Sequence, residues 1–142
     1  MAPSGSDVNE TILVVDDAEA IRKMVCAMLA QNGYRCLEAS DGSEALHMIE
    51  RGLDSFHLVL TDMVMPKMNG AELADHLSRL RPDVRVVFMS GYSDDPVVRH
   101  VEHVSPAIFL AKPFTAAALI EKIRESLEQP WHGLAGGPTS LI

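Results

Sequence analysis

Short segments rich in apolar residues recur along this chain, and longer stretches with apolar residues three or four positions apart separate them. The short segments contain β-branched or aromatic residues and are too short for helices, so they predict buried β-strands. They occupy residues 11–15, 34–39, 58–60, 84–89 and 107–110. Each ends at polar residues, Gly or Pro, which is typical of a strand that leads into a loop.

The spacing of three and four in the intervening stretches predicts amphipathic helices. We expect them over residues 18–32, between Ser43 and Gly52, and over 70–80, 96–103 and 115–128, with the weakest pattern at 96–103. Gly33, Gly52 and Pro82 supply helix stops. The residues expected to face the core are Ile21, Met24, Val25, Met28, Leu29, Ala45, Leu46, Met48, Ile49, Leu73, Leu77, Leu80, Ala118, Leu119, Ile123 and Leu127.

Strands that alternate with helices across short loops predict a parallel sheet covered by helices on both faces. Right-handed crossovers leave few topologies, and the flavodoxin-like strand order 2-1-3-4-5 is the leading candidate. The predicted fold is therefore an α/β, (βα)5 three-layer sandwich with a parallel five-stranded sheet, formed by residues 11–128. We expect flexible tails at residues 1–10 and 129–142, which are rich in small and turn-forming residues.

Polar side chains with complementary chemistry follow four of the predicted strands. Asp16 and Asp17 follow the first strand, Asp62 the third, Ser90 the fourth and Lys112 the fifth. In the predicted strand order the first and third strands are neighbours, and ligands bind at their carboxyl ends. Three carboxylates gathered there repel one another, and a hard divalent cation such as Mg²⁺ relieves that repulsion. With Lys112 and Ser90 beside them, the pattern predicts a carboxylate that accepts a phosphoryl group.

Composition and charge limit the partners. The 142 residues include 20 acidic and 12 basic residues, so the net charge is -8, and we expect no direct binding to nucleic acid. No apolar span reaches membrane length and no signal peptide is recognisable, so we expect a cytoplasmic protein that does not enter membranes. Cys26 and Cys36 lack a C-x-x-C spacing and are predicted to be buried free thiols.

Over residues 11–128 the motifs resemble the receiver domain of two-component response regulators. Asp16-Asp17 is similar to the family's acidic pair, and the segment from Asp62 to Gly70 is similar to its D-x-x-M-P-x-M-x-G phosphoacceptor signature. Ser90 matches the family's Ser/Thr position, and Lys112-Pro113-Phe114 matches its K-P-F motif. Each motif alone is weak, but their order along the chain is highly specific.

The resemblance implies a role for each residue of the acidic site. Asp62 would accept the phosphoryl group from a phosphohistidine donor. Asp17, Asp62 and the backbone carbonyl of Val64 would ligate Mg²⁺, and Asp16 would help, often through water. Lys112 would contact the phosphoryl oxygens. The donor would be a sensor histidine kinase or a histidine phosphotransfer protein.

The resemblance also implies a conformational switch. Ser90 would move toward the phosphoryl group, and Phe109, which replaces the more frequent Tyr, would turn inward. The surface over the predicted helix at 96–103, the fifth strand and the helix at 115–128 would then change for a downstream protein target. The Lys112-Pro113 peptide is expected to be cis. Val64 and Tyr92 occupy the positions expected to set the phosphoryl lifetime, and we expect slow dephosphorylation.

Two origins stay open for such a module: a free-standing regulator, or the receiver segment of a hybrid sensor kinase. Residues after 128 are too few for an output domain, so we expect a signalling module and no turnover enzyme. A phosphohydrolase of the haloacid dehalogenase type also uses an aspartyl phosphate, but Ala18 stands where that family has its general acid. A flavodoxin-like nucleotide binder is a third alternative, although no phosphate-binding loop follows the first strand.

Overall fold

The structure, a computed structural model, describes residues 10–52, 56–91, 96, 99 and 108–129. Its centre is a parallel five-stranded sheet in the order β2-β1-β3-β4-β5, as the sequence predicted. The strands are β1 (Thr11–Val15), β2 (Arg35–Ala39), β3 (Leu58–Asp62), β4 (Arg85–Ser90) and β5 (Phe109–Ala111). The flavodoxin-like strand order is therefore confirmed.

Four helices lie within the described ranges. They are α1 (Glu19–Gln31), α2 (Gly42–Arg51), α3 (Gly70–Leu80) and α4 (Ala116–Glu128). Of the helix predicted at 96–103, only Pro96 and Arg99 are described, and both are helical. The remainder of that helix lies outside the described residues, as do residues 1–9 and 130–142 of the predicted tails.

Side-chain caps fix where α2, α3 and α4 begin. The Asp41 carboxylate accepts a hydrogen bond from the Glu44 amide at the start of α2. At α3, Asn69 and Glu72 form a reciprocal capping box, in which each side chain accepts the other residue's backbone N–H. Such caps satisfy amides that have no partner within the helix. The start of α3 is therefore fixed eight residues after Asp62 by its own sequence.

Alternate strand residues supply two cores, one on each face of the sheet. Leu13 and Val15 pack with residues of α2 and α3, whereas Ile12 and Val14 pack with residues of α1 and α4. This alternation follows from the two-residue repeat of a strand. Both faces are buried, which explains why every residue of β1 is buried and why all of them except Thr11 are apolar.

Three residues predicted to face the core are exposed instead: Met24, Leu80 and Ala118. Leu80 is the last residue of α3, and Ala118 lies in the first turn of α4, where Ile120 is buried in addition to Leu119. Both errors arise because the ends of a helix extend past the sheet that covers its middle.

The prediction of two free thiols is also wrong, because the structure joins Cys26 of α1 to Cys36 of β2 in a disulfide. None of the helices in the described ranges combines the length and apolar character that a membrane-spanning helix needs.

Candidate functional site

Three carboxylates meet at the carboxyl ends of β1 and β3. Asp16 and Asp17 follow β1 directly, and Asp62 is the last residue of β3. One carboxylate oxygen from each of the three lies within 4.8 Å of the others. Asp16 is buried, Asp62 is half-buried and Asp17 is exposed. The sequence-predicted acidic cluster is thus assembled, with its open side at Asp17.

Asp16 is fixed through four polar atoms. Its amide donates to the carbonyl of Ala39 at 3.2 Å, and its Oδ1 accepts from the Ala18 amide at 2.9 Å. Its Oδ2 lies 3.5 Å from Nζ of Lys112, and its backbone carbonyl accepts from Arg22 at 2.8 Å. Because both carboxylate oxygens already have partners, Asp16 is better placed to act on a cation through water than to bind it directly.

Asp62 is half-buried and lies close to the ammonium group of Lys112. Its Oδ1 accepts a long hydrogen bond from the Val64 amide at 3.4 Å and lies 3.5 Å from Nζ of Lys112. Burial raises the pKa of the Asp62 carboxyl above its ordinary value; Lys112 opposes the rise, whereas the charge of Asp16 adds to it. A positive charge brought to this site therefore favours the ionised form that a nucleophile needs.

Lys112 brings a positive charge from β5 to the acidic cluster. Its amide donates to the carbonyl of Ser90 at 2.9 Å, which continues the pairing of β4 with β5. Its Nζ lies 3.5 Å from a carboxylate oxygen of both Asp16 and Asp62. The Lys112-Pro113 peptide bond is cis. One ammonium group among three carboxylates leaves the cluster with excess negative charge.

The loop after Asp62 folds back tightly onto β3. The Met68 amide donates to the carbonyl of Pro66 at 2.7 Å, and Lys67 between them has a φ of 70°. This i to i+2 bond with a positive φ is a γ-turn, a strained conformation for a residue other than Gly. The amide of Gly70 then donates to the carbonyl of Met63 at 2.8 Å. Strained backbone thus lies in the loop that follows Asp62.

Gly70 allows the start of α3 to approach the end of β3 closely. A Cβ atom at this position would lie 2.7 Å from the carbonyl oxygen of Asp62 and 3.0 Å from Cα of Met63. Backbone atoms cannot move away as a flexible side chain can. The Gly that ends the sequence motif is therefore required by packing against the backbone of Asp62 itself.

The other predicted site residues that the structure describes differ in their burial. Ser90 is buried at the end of β4, and its hydroxyl donates to the carbonyl of Gly91 at 3.1 Å. Phe109 is buried on β5, with its ring centroid 5.4 Å from that of Phe88. Val64 is exposed beside Asp62. Tyr92 lies outside the described residues.

Arg22 was missed as a site residue by sequence reasoning. It lies in α1, six residues after Asp16, and its guanidinium reaches back to the carbonyl of Asp16 and across to Glu38 of β2. A basic residue in an amphipathic helix is ordinarily a solvated surface residue. The sequence does place Arg22 in the turn of α1 that follows the acidic pair. Its contact with Glu38, however, can be predicted only when the packing of β2 is known.

The donor set of the cluster suits a hard divalent cation. Carboxylate oxygens are the ligands that Mg²⁺ prefers, and Mg²⁺ usually keeps several waters and uses one or two carboxylates. Asp17 and Asp62 offer such oxygens next to each other, and Asp17 faces solvent, from which water ligands come. The residues present therefore fit Mg²⁺.

Comparisons with known proteins agree on one family. The family model described as the response regulator receiver domain matches residues 12–124. The sensor kinase CckA of Brucella abortus (strain 2308) is 35% identical over 119 residues, which cover 84% of this chain but 13% of that protein. The sporulation initiation phosphotransferase F of Bacillus subtilis (strain 168) is 29% identical over 122 residues, covering 86% of this chain and 94% of that protein.

Solved structures give the same result. A response regulator receiver domain protein from Clostridium thermocellum superposes with a TM-score of 0.73 at 28% identity, covering 83% of this chain and 94% of the other. The structure of FixJ-N superposes with a TM-score of 0.73 at 27% identity, covering 86% and 96%. The chain therefore belongs to the receiver-domain family of two-component response regulators.

Proposed function

We propose that this chain accepts a phosphoryl group on Asp62 from a phosphohistidine donor, with Mg²⁺ as cofactor. The observation that carries the proposal is the meeting of three carboxylates and one lysine at the carboxyl ends of β1, β3 and β5. A carboxylate nucleophile, a positively charged side chain and an oxygen-rich site for a metal cation are the components that phosphoryl transfer uses.

Asp62 supplies the nucleophile and Lys112 supplies the fixed positive charge. An ionised carboxylate oxygen of Asp62 forms the new O–P bond while the N–P bond of the donor breaks and the imidazole leaves with the bonding electron pair. Nζ of Lys112, 3.5 Å from Oδ1 of Asp62, lies close enough to pair with oxygens of the incoming phosphoryl group. The excess negative charge of the cluster requires a further cation before a dianionic phosphoryl group approaches.

The cation would be held by the carboxylates of Asp17 and Asp62 and by the backbone carbonyl of Val64, with Asp16 acting through water. When bound, Mg²⁺ supplies neutralisation of charge on the phosphoryl oxygens. The protein residues supply the orientation of the site. The Asp16 carboxylate accepts from the Ala18 amide, and the Val64 amide donates to the Asp62 carboxylate. Gly70 allows the start of α3 to pack against the backbone of Asp62.

Ser90 and Phe109 form the proposed switch. The Ser90 hydroxyl, which bonds only the neighbouring Gly91 carbonyl among the described residues, is free to turn toward a phosphoryl group. Phe109 packs against Phe88, and the Phe88 ring lies 3.2 Å from the Cβ position of Gly70. Packing therefore runs from Phe109 of β5 through Phe88 of β4 to Gly70 at the start of α3. A change at Ser90 would be transmitted to the surface over the helix predicted at 96–103, β5 and α4, where a downstream protein target would bind.

The proposed role is that of a signalling module and not of a turnover enzyme. The donor would be a sensor histidine kinase or a histidine phosphotransfer protein, and the chain itself would neither bind nucleic acid nor enter a membrane. Both a module within a hybrid kinase and a free-standing regulator fit, since relatives of both lengths match. The proposed lifetime of the phosphoryl group on Asp62 is long. The exposed Val64 offers no group that orients water, and the ring of Tyr92 would cover the approach of water to the phosphorus.

Phosphorylation by acetyl phosphate tests the proposal. Wild type incubated with acetyl phosphate and Mg²⁺ should gain one phosphoryl group by intact mass, and Asp62→Asn should gain none. Asp83→Asn is the matched control, because Asp83 pairs with Arg81 away from the cluster and should leave labelling unchanged. Labelling of Asp62→Asn to the extent of wild type would overturn the proposal.

A further inference from the structure

Arg22 is a largely buried cation that joins the loop after β1 to strand β2. Its side chain is 12% exposed. Its Nε donates to Oε1 of Glu38 at 2.9 Å, and its Nη1 donates to the backbone carbonyl of Asp16 at 2.8 Å. A guanidinium holds two acceptors in a fixed relative geometry because it is planar. Arg22 therefore fixes the Asp16 carbonyl against α1 and β2.

The carbonyl that Arg22 holds belongs to the peptide that links Asp16 to Asp17. The Asp17 carboxylate is exposed, and within the described residues no hydrogen bond or ion pair restrains it. Because the peptide unit is planar, fixing its oxygen also fixes the backbone from which the Asp17 side chain extends. The direction of the Asp17 carboxylate is thus set by the backbone, and the backbone is held by Arg22.

We propose that Arg22 is a positioning residue for the binding of a divalent cation by Asp17 and Asp62. The inference rests on the proposed function, since that function supplies the cation. Arg22 touches neither the proposed cation nor a phosphoryl group, and acts only through the peptide between Asp16 and Asp17. The Arg22 guanidinium is held in place by the carboxylate of Glu38. Burial raises the pKa of Glu38, but hydrogen bonds from Lys23 and Arg22 lower it further, so the net pKa is lowered and the carboxylate stays ionised.

Charge and position predict opposite effects when Arg22 is removed. Loss of a positive charge near a cation site, by itself, strengthens Mg²⁺ binding. Loss of positioning weakens it. Lys23 offers a matched control, because its Nζ pairs with the same Glu38 at 3.0 Å while its side chain is 59% exposed. Among the described residues it makes no hydrogen bond to Asp16, so Lys23→Gln removes charge without releasing the peptide.

Titration calorimetry with Mg²⁺ alone on the full chain separates these effects. Arg22→Gln should raise the Kd for Mg²⁺ by about tenfold, in the range found when residues that orient metal ligands are replaced. Lys23→Gln should leave the Kd unchanged or lower it. Arg22→Lys should give an intermediate Kd, because one ammonium group keeps the charge but cannot hold both oxygens in the same geometry. Thermal melts without Mg²⁺ report whether each variant folds.

An unchanged or lower Kd in folded Arg22→Gln would overturn the inference, and so would equal increases in Arg22→Gln and Lys23→Gln. If Arg22→Gln does not fold, Arg22→Lys decides, and a wild-type Kd in that variant overturns the inference. Absence of Mg²⁺ binding by wild type would overturn the proposed function together with this inference. Binding by wild type that is lost in Asp17→Asn but kept in Arg22→Gln overturns this inference alone.

Discussion

Opposing physical effects act on the carboxyl group of Asp62. Burial and the nearby charge of Asp16 favour its protonated form, and Lys112 favours its ionised form. The net result is a raised pKa, so the folded chain binds this proton more tightly than the unfolded chain does. Ionised Asp62 therefore lowers the stability of the protein above the raised pKa, and that loss fades as pH falls toward the ordinary aspartate value.

Asp62→Asn should consequently raise the free energy of unfolding at neutral pH in the absence of divalent cations. The gain should shrink at mildly acidic pH, where wild-type Asp62 takes up its proton. Urea unfolding of both proteins at several pH values measures the difference. A gain that is independent of pH, or a loss of stability at neutral pH, would show that burial does not dominate at this carboxyl.

Gly70 makes the second prediction at the residue scale. Gly70→Ala should lower the free energy of unfolding by about 2–3 kcal/mol, because its Cβ would meet the backbone of Asp62 and Met63. Gly42→Ala is the matched control, since the atoms nearest to its Cβ belong to the side chain of Met68, whose sulfur at 2.8 Å can move away, and not to the backbone. We expect a loss of about 1 kcal/mol or less there. Equal losses in urea unfolding would contradict the close packing at Gly70.

What the sequence predicts at this scale is the presence of acidic and basic groups at strand ends. Within two residues after an apolar segment stand Asp16, Asp17, Asp62 and Lys112, and the strand order brings such ends together. The contact of Arg22 with the Asp16 carbonyl could not be predicted in this way. It depends on a side chain that bends back over a turn of helix and on the packing of β2, neither of which leaves a periodic pattern.

At the scale of the elements, two of the three errors in the predicted helix faces lie at helix ends, and the third is Met24 in the middle of α1. Leu73 and Leu77 of α3 are buried as the spacing predicts, whereas Leu80 is exposed. The hydrophobic period continues to the end of the helix, but the sheet against which α3 packs does not. The disulfide between Cys26 and Cys36 was missed for a related reason, since the packing of α1 on β2 decides the distance between two cysteines ten residues apart.

Leu77 and Leu80 give a direct test of this difference. Leu77 is 1% exposed and Leu80 is 44% exposed. Leu77→Ala should lower the free energy of unfolding by about 2–5 kcal/mol, because it leaves a cavity in the core, whereas Leu80→Ala should change it by less than about 1 kcal/mol. Comparable losses in chemical denaturation would mean that the end of α3 is buried after all.

Across the whole molecule, the strand order explains why residues far apart in the chain form one site. The chain crosses from β1 to β3 by way of β2 at the edge, so the ends of β1 and β3 become neighbours. Lys112 then reaches the same place from β5. The charge of -8 over the whole chain adds to the repulsion among the carboxylates. Mg²⁺ should therefore stabilise the folded protein as well as neutralise the carboxylates before a phosphoryl group approaches.

The most direct measurement is the identification of the residue that carries the phosphoryl group. Borohydride reduces an aspartyl phosphate to homoserine, so wild type treated with acetyl phosphate and Mg²⁺, then with borohydride, can be digested and sequenced by mass spectrometry. We predict homoserine at position 62 and nowhere else, and none when Mg²⁺ is removed by a chelator. Homoserine at position 16 or 17, or an unchanged Asp62 in a protein that carries one phosphoryl group, would contradict the account.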